Sequence, residues 1–411
     1  MRDLRSHLAR NSGSSRIREL LHLTERPDML SLAGGLPATE ALPVARIRSA
    51  LANTLDARAL QYGPSEGVRD LREFVAHRCG ARLVEVLITS GAQQALDLLA
   101  HAVIDDGDTA VVESPSYLGA TQVLQNAGAS ITAVASDGDG LDTRTLNDMV
   151  ARGLRPKLIY VVSNFHNPTG VTLSEARRRE LAEIATRVGA LLVDDDPYGE
   201  LRFAGQAVPP IAAPSLVRVG TVSKVLAPGL RVGWMVGPTW LIDACVRLKQ
   251  ATDLHTSTLS QCVALDLLRD RAWFAEHLSF IRALYRERAQ TLVDTLTDRL
   301  GDRITIAPVH GGLFAWVRFV DGTDADDLFA RSVGHGVAFV PGSSFGVDPA
   351  HRAAARLCFA SLPPARLVDA VDRLTAAATA SSVGVLRVST PVKRQQNGQS
   401  KGVERGQAKA R

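Results

Sequence analysis

The feature that most constrains the fold is a regular alternation of strand-like and helix-like segments between about residue 64 and residue 240. Short runs rich in β-branched residues are separated by amphipathic stretches of helical period. The clearest strand candidates are VLITS (86–90), TAVVES (109–114), KLIYVVS (157–163), ALLVDDD (190–196), LVRVGTVS (216–223) and VGWMVG (232–237). Strands that alternate with helices form parallel sheets with helices on their faces. The sequence therefore predicts an α/β protein with a mostly parallel sheet.

A different pattern begins at about residue 255. Helical segments fill the region 255–300, and strand-like runs such as GVAFVPG and AARLCFAS then alternate with helices up to residue 379. This pattern predicts a smaller α+β unit. Between Pro391 and Arg411 the chain has six Lys or Arg and one Glu. Because this tail has few apolar side chains to bury, we expect it to be disordered.

Charge and composition argue against several classes of protein. The 411-residue chain has a formal net charge of +4, and the basic tail accounts for all of it. The body therefore has no charge pattern typical of nucleic-acid binding. Four cysteines lie far apart without a CxxC motif, so we expect reduced thiols, no metal site and a cytoplasmic location. No apolar run is long enough to span a membrane, and we expect no secretory signal.

Lys224 is conspicuous because lysine is scarce in this chain. There are six lysines against 41 arginines, and half of those lysines lie in the tail. Lys224 lies in GTVSKVLAPGLRVGW, at a predicted strand end, beside the hydroxyls of Thr221 and Ser223 and close to Arg231. An amine that must act as a nucleophile cannot be replaced by a guanidinium, which stays protonated. Lys224 is thus either a structural residue or a Schiff-base lysine.

Polar residues follow the other predicted strands. Ser90–Gln93 opens a helix whose free N–H groups could bind phosphate, or is an ordinary helix cap. Asn167 lies in the turn SNFHNPTG, and Asp194–Asp196 ends the strand ALLV. Three buried acids require a cationic partner, either a metal ion or a protonated heterocycle. An anion cradle, a carboxylate and an amine are together the groups that pyridoxal phosphate (PLP) requires.

The motifs SGAQQAL, NFHNPTG, VDDDPYGEL and SKVLAPGLRVGW resemble, in this order, the fold-type I, class I and II PLP-dependent aminotransferases. The resemblance extends over about residues 15–380. The run SSRIRELLHLTERPDMLSLAGGLPATEALP resembles the branch of broad-specificity 2-aminoadipate and kynurenine aminotransferases. This resemblance implies a large domain with a mostly parallel seven-stranded sheet between helices and a smaller α+β domain. The expected divisions are an N-terminal segment (1–50) that contributes to the small domain and the substrate pocket, a PLP-binding domain (51–285), a small domain (286–385) and a tail (386–411).

The resemblance also implies roles for individual residues. Lys224 would bind PLP covalently and move the substrate proton. Asp195 would pair with the pyridinium nitrogen, Tyr198 and Asn167 would bond the ring hydroxyl, and Tyr117 would stack on the ring. The expected phosphate ligands are Ser90, Gly91, Ala92, Gln93, Thr221, Ser223, Arg231 and, from the neighbouring subunit of a homodimer, Tyr62.

The substrate-binding residues are implied in the same way. Arg356 would grip the α-carboxylate, Gly35 and Asn167 would line the pocket, and Arg18 would meet the far end of an acidic substrate. The expected reaction passes an amino group between an L-amino acid and a 2-oxo acid, in a ping-pong sequence through pyridoxamine phosphate, with glutamate and 2-oxoglutarate as one pair. The resemblance implies either a broad specificity of the 2-aminoadipate and aromatic type or an unusual amino acid of secondary metabolism. A lyase, cyclase or oxidase reaction on the same cofactor is the alternative. A regulatory protein with a fused winged-helix domain is disfavoured, because the pattern begins by about residue 15.

Overall fold

The computed structural model describes residues 4–5, 26, 28–346 and 348–379. The predicted tail and Arg18 lie outside these residues. The described residues up to Thr379 form one compact unit. Within it, one continuous helix, Arg271–Leu300, runs through the boundary predicted at residues 285 and 286. The division into a large and a small domain stays a prediction.

The strands of the described chain alternate with helices as the sequence predicts up to residue 240. They are β1 (Leu30–Ser31), β2 (Val86–Thr89), β3 (Thr109–Ser114), β4 (Ser130–Asp137), β5 (Gly140–Leu141), β6 (Leu158–Val161), β7 (Leu191–Asp195), β8 (Leu216–Thr221), β9 (Gly233–Val236), β10 (Ile304–Ile306), β11 (Phe314–Phe319), β12 (Val337–Ala338), β13 (Val340–Pro341) and β14 (Ala354–Cys358). Each of the six strand candidates contains one of these strands.

The α-helices of the same residues cover the sheet faces and form most of the C-terminal part. They are α1 (Val44–Thr54), α2 (Arg69–Cys79), α3 (Ala92–Val103), α4 (Leu118–Asn126), α5 (Thr143–Ala151), α6 (Glu175–Val188), α7 (Thr239–Thr252), α8 (Thr258–Arg269), α9 (Arg271–Leu300), α10 (Ala325–Gly334) and α11 (Pro364–Thr379).

The large sheet has the strand order β2-β9-β8-β7-β6-β3-β4-β5. Strands β8, β7, β6, β3 and β4 pair in parallel, whereas β9 and the short β5 are antiparallel to their neighbours. The expected mostly parallel sheet between helices is confirmed, but the count of seven strands is wrong by one in the described residues. The additional strand is the two-residue β5, which forms a hairpin with β4 across Gly138–Asp139.

The two faces of this sheet are buried in separate hydrophobic clusters because successive side chains of a strand point to opposite faces. Leu158 and Tyr160 of β6 pack in one cluster, and Ile159 and Val161 pack in the other. Strands buried on both faces are continuous apolar runs, as in VLIT and LIYV. This pattern explains why the central strands could be recognised from the sequence.

The C-terminal part has a four-stranded antiparallel sheet in the order β10-β11-β14-β13. A separate two-stranded parallel sheet joins β1 to β12, with Leu30 opposite Val337. The segment around residue 30 is therefore joined to the C-terminal part by backbone hydrogen bonds. No helix within the described ranges is long and apolar enough to cross a membrane.

Candidate active site

One edge of the large sheet collects the polar residues that follow its strands. Strands β3, β6, β7 and β8 run parallel, and β2 has the same direction because two antiparallel pairings separate it from β8. Their carboxyl ends therefore lie at the same edge. Ser90, Tyr117, Asn167, Asp195 and Lys224 follow or end these strands, which is where ligands bind in open α/β sheets.

Lys224 lies three residues beyond the end of β8 and is partly buried. Its Nζ donates a hydrogen bond to the carbonyl oxygen of Gly35 at 2.9 Å. Burial lowers the pKa of Lys224 to about 8, and the charges of Arg356 and Arg231 also act to lower it. A lysine with this pKa has a substantial fraction of neutral amine slightly above neutral pH, which a nucleophilic lysine requires.

Asp195 ends β7 and has an exposed fraction of 3%. Its Oδ2 accepts a hydrogen bond from the Tyr160 hydroxyl at 2.8 Å. Its Oδ1 is buried and has no hydrogen-bond partner among the residues that the structure describes. Burial raises the pKa of Asp195 to about 7, against the lowering effect of the Tyr160 bond. A cation with an N–H directed at Oδ1 would satisfy this oxygen and restore the carboxylate.

The flanking acids have different partners. Asn164 Nδ2 donates to Asp196 Oδ2 at 2.8 Å, and the backbone N–H of Gly199 donates to Asp196 Oδ1 at 2.8 Å. Burial raises the pKa of Asp194, an effect that the charge of nearby Arg178 opposes. Asp196 is thus bonded to the chain itself. Asp194 Oδ1 is also buried without a hydrogen-bond partner in the described part of the chain, but Asp194 precedes Asp195 on β7 and so points to the opposite face of the sheet. Asp195 is the acid whose charge acts on Tyr117 and Tyr198.

The turn before α3 has the geometry of an anion cradle. Gly91 has a φ of +91°, which favours glycine, and the first N–H groups of α3 follow it. Arg231 Nη2 donates to the carbonyl oxygen of Ser90 at 2.9 Å. A Cβ at Gly91 would lie 2.5 Å from the same Arg231 nitrogen, so glycine is needed for this close approach. The cationic group thus lies against the helix N-terminus.

Two hydroxyls come from the end of β8 and the residues after it. Thr221 Oγ1 and Ser223 Oγ are 2.8 Å apart, and both side chains are buried. Arg231 itself has a φ of +52°, a strained value for a residue with a side chain, and such strain is often retained at functional sites. Thr221 lies opposite Gly233, where a Cβ would lie 2.7 Å from the backbone of Gly91. The segment after β8 therefore lies beside the turn before α3.

The predicted ring contacts come from aromatic residues. The Tyr117 hydroxyl donates to Gln93 Oε1 at 3.1 Å, which ties the expected stacking residue to the cradle. Burial raises the pKa of Tyr117 to about 12, and the charge of Asp195 acts in the same direction. Burial also raises the pKa of Tyr198, whose ring packs edge-on against Phe314 at 6.0 Å between centroids. Both phenols are therefore neutral donors at physiological pH.

Arg356 is the buried cation of the site, with an exposed fraction of 3%. Its Nη1 donates to Asn167 Oδ1 at 2.8 Å, and its Nη2 donates to the carbonyl oxygen of Ala33 at 2.5 Å. The guanidinium carbon lies 4.3 Å from the Phe314 ring centroid and 5.1 Å from that of Phe345. Burial lowers the pKa of Arg356 to about 10, so it remains charged at neutral pH.

The three remaining predicted residues differ in their surroundings. Tyr62 is 78% exposed and contacts His255 edge-on, with 5.7 Å between the ring centroids, and the structure does not bring it to this site within one chain. Gly35 binds Lys224 through its carbonyl, and a Cβ there would come within 3.0 Å of the Phe314 ring. Arg18 lies outside the described residues.

The sequence analysis missed several residues that contact the site. Tyr160 bonds Asp195, and Phe314 and Phe345 enclose Arg356. Tyr160 is the one polar group in the run LIYV, so its hydroxyl was a weak signal. The two phenylalanines gave no signal, because an aromatic residue in a strand or turn is ordinarily a core residue.

Comparisons with known proteins agree on one family. The profile of the family described as aminotransferase class I and II matches residues 27–374. The 2-aminoadipate transaminase of Thermus thermophilus is 38% identical over 371 residues, which cover 88% of this chain and 93% of that protein. Aromatic-amino-acid aminotransferase 1 of Thermococcus litoralis is 35% identical over 378 residues, which cover 88% and 90% of the respective chains.

A solved structure is similar over the same range. It is the α-aminoadipate aminotransferase LysN of Thermus thermophilus, in complex with N-(5′-phosphopyridoxyl)-L-leucine. The two structures have a TM-score of 0.84 at 36% sequence identity, and the match covers 91% of this chain and 96% of the other. The similarity thus includes both the large sheet and the C-terminal sheet of this chain.

Proposed function

The chain belongs to the class I and II aminotransferases and is an aminotransferase that uses PLP as its cofactor, and on this premise we propose a role for each residue of the site. The observation that supports the assignment best is the unpartnered, buried Oδ1 of Asp195 at the edge where Lys224 lies. This oxygen fits the protonated nitrogen of a pyridine ring. The cofactor supplies an electron sink for the carbanion of the bound amino acid.

The residues of the cradle are proposed to hold the cofactor phosphate. They are the N–H groups that open α3, the Arg231 guanidinium, which contacts Ser90, and the mutually bonded hydroxyls of Thr221 and Ser223. Gly91, Ala92 and Gln93 provide the backbone N–H groups. At the other end Asp195 holds the ring nitrogen, with Tyr160 fixing the carboxylate. The ring would then lie against Tyr117, with Asn167 and Tyr198 as the donors for its hydroxyl.

Lys224 is proposed to anchor the cofactor and to transfer the substrate proton. A pKa of about 8 keeps its amine partly neutral near physiological pH. With the cofactor bound, the free amine would accept the proton from the substrate α-carbon and move it within the site. Its bond to the Gly35 carbonyl marks where Nζ can rest when it is free.

Arg356 is proposed to bind the substrate α-carboxylate. It is charged and buried, and its Nε has no hydrogen-bond partner in the described part of the chain. A carboxylate would complete its bonds through a planar fork. Phe314 and Phe345 keep water away from the guanidinium, so the ion pair with a substrate forms in a medium of low dielectric. Asn167 Oδ1 accepts a hydrogen bond from Nη1 of the same guanidinium.

The proposed substrate class rests on the names of similar proteins. One similar protein is named for 2-aminoadipate and another for aromatic amino acids. We propose that this enzyme likewise accepts amino acids of more than one class, with 2-oxoglutarate and glutamate as one pair. Gly35 is proposed to line the substrate pocket through its backbone, and Arg18 is proposed to meet the far end of an acidic substrate.

A homodimer with shared sites is part of the proposal. The exposed Tyr62 is available to a second copy, and it is proposed to bond the phosphate in the partner's site. A cytoplasmic location is proposed with it, since the four cysteines are all unpaired in the structure.

The test is the absorbance of the PLP-loaded protein while single amino acids are added without any 2-oxo acid. The proposal predicts that one or more classes of amino acid convert the pyridoxal band to the pyridoxamine band and that 2-oxoglutarate restores it. The Lys224→Ala variant is the control, and in it an amino acid and 2-oxoglutarate should not interconvert the two bands. Release of ammonia or a cyclised product, without the pyridoxamine form, would show a different reaction on the same cofactor.

A further inference from the structure

Lys249 is a second lysine that this arginine-rich chain retains in its interior. It lies on α7, its exposed fraction is 0%, and no role has been given to it above. Its Nζ makes three hydrogen bonds: to Gln94 Oε1 at 2.7 Å, to Asp253 Oδ1 at 2.7 Å and to Asp253 Oδ2 at 2.9 Å. Every donor of the ammonium is therefore used.

The two partners of Lys249 both bind Ser90. Asp253 Oδ2 accepts from the Ser90 hydroxyl at 2.8 Å, and Gln94 Oε1 accepts from the Ser90 backbone N–H at 2.8 Å. Gln94 Nε2 also donates to Asp253 Oδ2 at 2.7 Å, which closes a ring of hydrogen bonds. We call Lys249, Asp253, Gln94 and Ser90 the brace.

The remaining polar atom of Ser90 faces the cradle. Its carbonyl oxygen accepts from Arg231 Nη2 at 2.9 Å. The hydroxyl and the N–H of Ser90 are already donated to the brace, so they are not available to a phosphate in this arrangement. Ser90 therefore connects the brace to the Arg231 guanidinium, and the chain turns at Gly91 immediately after it.

The charges of the brace favour a fixed geometry. Burial lowers the pKa of Lys249, while the bond and charge of Asp253 raise it. Burial alone would raise the pKa of Asp253, but the hydrogen bonds from Lys249, Gln94 and Ser90 lower it. The Lys–Asp pair adds no net charge to the cradle, so it cannot attract a phosphate by itself. Its effect must come through the position of Ser90.

We propose that Lys249 is a positioning residue that holds Ser90 through Asp253 and Gln94, and thereby fixes the phosphate-binding turn and Arg231. The proposal rests on the proposed function, because it assumes that the cradle binds the phosphate of PLP. An arginine at position 249 would have a longer, planar head group, so its donors would not occupy the position of the Lys249 Nζ.

The proposal is tested by comparing the affinities of the apoprotein for PLP and for pyridoxal, which lacks the phosphate. In the Lys249→Met variant we expect the dissociation constant of PLP to rise about tenfold or more, while that of pyridoxal stays unchanged. Lys157→Met is the matched control, since Lys157 also binds two aspartates, Asp105 at 3.1 Å and Asp108 at 2.6 Å. Its affinity for PLP should equal that of the wild type.

A second variant keeps the test decisive if Lys249→Met does not fold. Gln94→Leu removes the acceptor for the Ser90 N–H and leaves the Lys249–Asp253 ion pair in place. It should also weaken PLP binding selectively. Equal losses for PLP and pyridoxal, or no loss in either variant, would overturn the positioning role. If the wild-type protein bound PLP no better than pyridoxal, the phosphate cradle of the proposed function would itself be wrong.

Discussion

Replacement of Asp195 by Asn should stabilise the apoprotein at alkaline pH. Folding raises the pKa of this carboxyl from its ordinary value of 3.8 to about 7, mainly by burial. At about 1.4 kcal/mol per pKa unit, the ionised carboxylate costs the folded apoprotein about 4 kcal/mol. An asparagine carries no charge and can still accept the Tyr160 hydrogen bond.

The sign of the pH dependence follows from proton binding. Between about pH 4 and pH 7 the folded apoprotein holds a proton on Asp195 that the unfolded chain has released, so stability falls as the pH rises. The cost of the carboxylate is absent below about pH 4 and complete above about pH 7. The difference between Asp195→Asn and wild type should therefore be small at pH 4.5 and reach up to about 4 kcal/mol at pH 8.

The assay is urea unfolding of the two apoproteins at pH 4.5 and pH 8, followed by circular dichroism. The nearby acids Asp194 and Asp196 are present in both proteins, so their titration cancels to first order in the difference. With PLP bound, the wild type should be the more stable of the two proteins, because the pyridinium pairs with the Asp195 carboxylate. The variant should also lose roughly a hundredfold or more in activity. A variant that is no more stable than wild type at pH 8 would refute the reasoning.

Three further predictions concern other parts of the site. Arg356→Lys keeps the charge but loses the planar pair of donors, so KM for the amino acid should rise about tenfold to a hundredfold while PLP affinity is unchanged. Steady-state kinetics test this, and a variant with the KM of the wild type would contradict it. Gly91→Ala would place a Cβ 2.5 Å from Arg231 at a φ of +91°, so the variant should bind PLP about tenfold more weakly or worse. Fluorescence titration measures this affinity, and an unchanged value would exclude the close approach of Arg231 to Gly91. Subunits with Tyr62→Ala and subunits with Lys224→Ala should regain activity on mixing if Tyr62 acts across the dimer, and no recovery would place its action within one chain.

The sequence indicated which polar residues would lie at one sheet edge, because these residues follow strand ends. Asp195 and Lys224 terminate or follow runs that are apolar on both faces, and such runs are recognisable without a structure. The strand β4 was not among the sequence candidates because it is partly exposed and its run, SITAVASD, mixes small and polar residues. The eighth strand of the sheet is the two-residue β5, which is too short to show a periodic pattern in the sequence.

Contacts between distant segments could not be predicted. Tyr160 reaches Asp195 because β6 and β7 are neighbours, with Tyr160 opposite Val193, and strand order is not encoded in any local pattern. The contact of Arg356 with Asn167 joins residues that are 189 positions apart. Lys249 carried only the weak signal of being a lysine in an arginine-rich chain, since an isolated lysine on a helix is ordinarily a solvent-exposed residue.

The most direct test of the central claim is to locate the covalent cofactor. The PLP-loaded protein is reduced with borohydride, digested with trypsin and analysed by mass spectrometry. The account predicts a pyridoxyl group on the peptide 219–231, VGTVSKVLAPGLR, which contains Lys224 and escapes cleavage there. A label on Lys157, on Lys249 or on a lysine of the tail, with none on this peptide, would contradict the account.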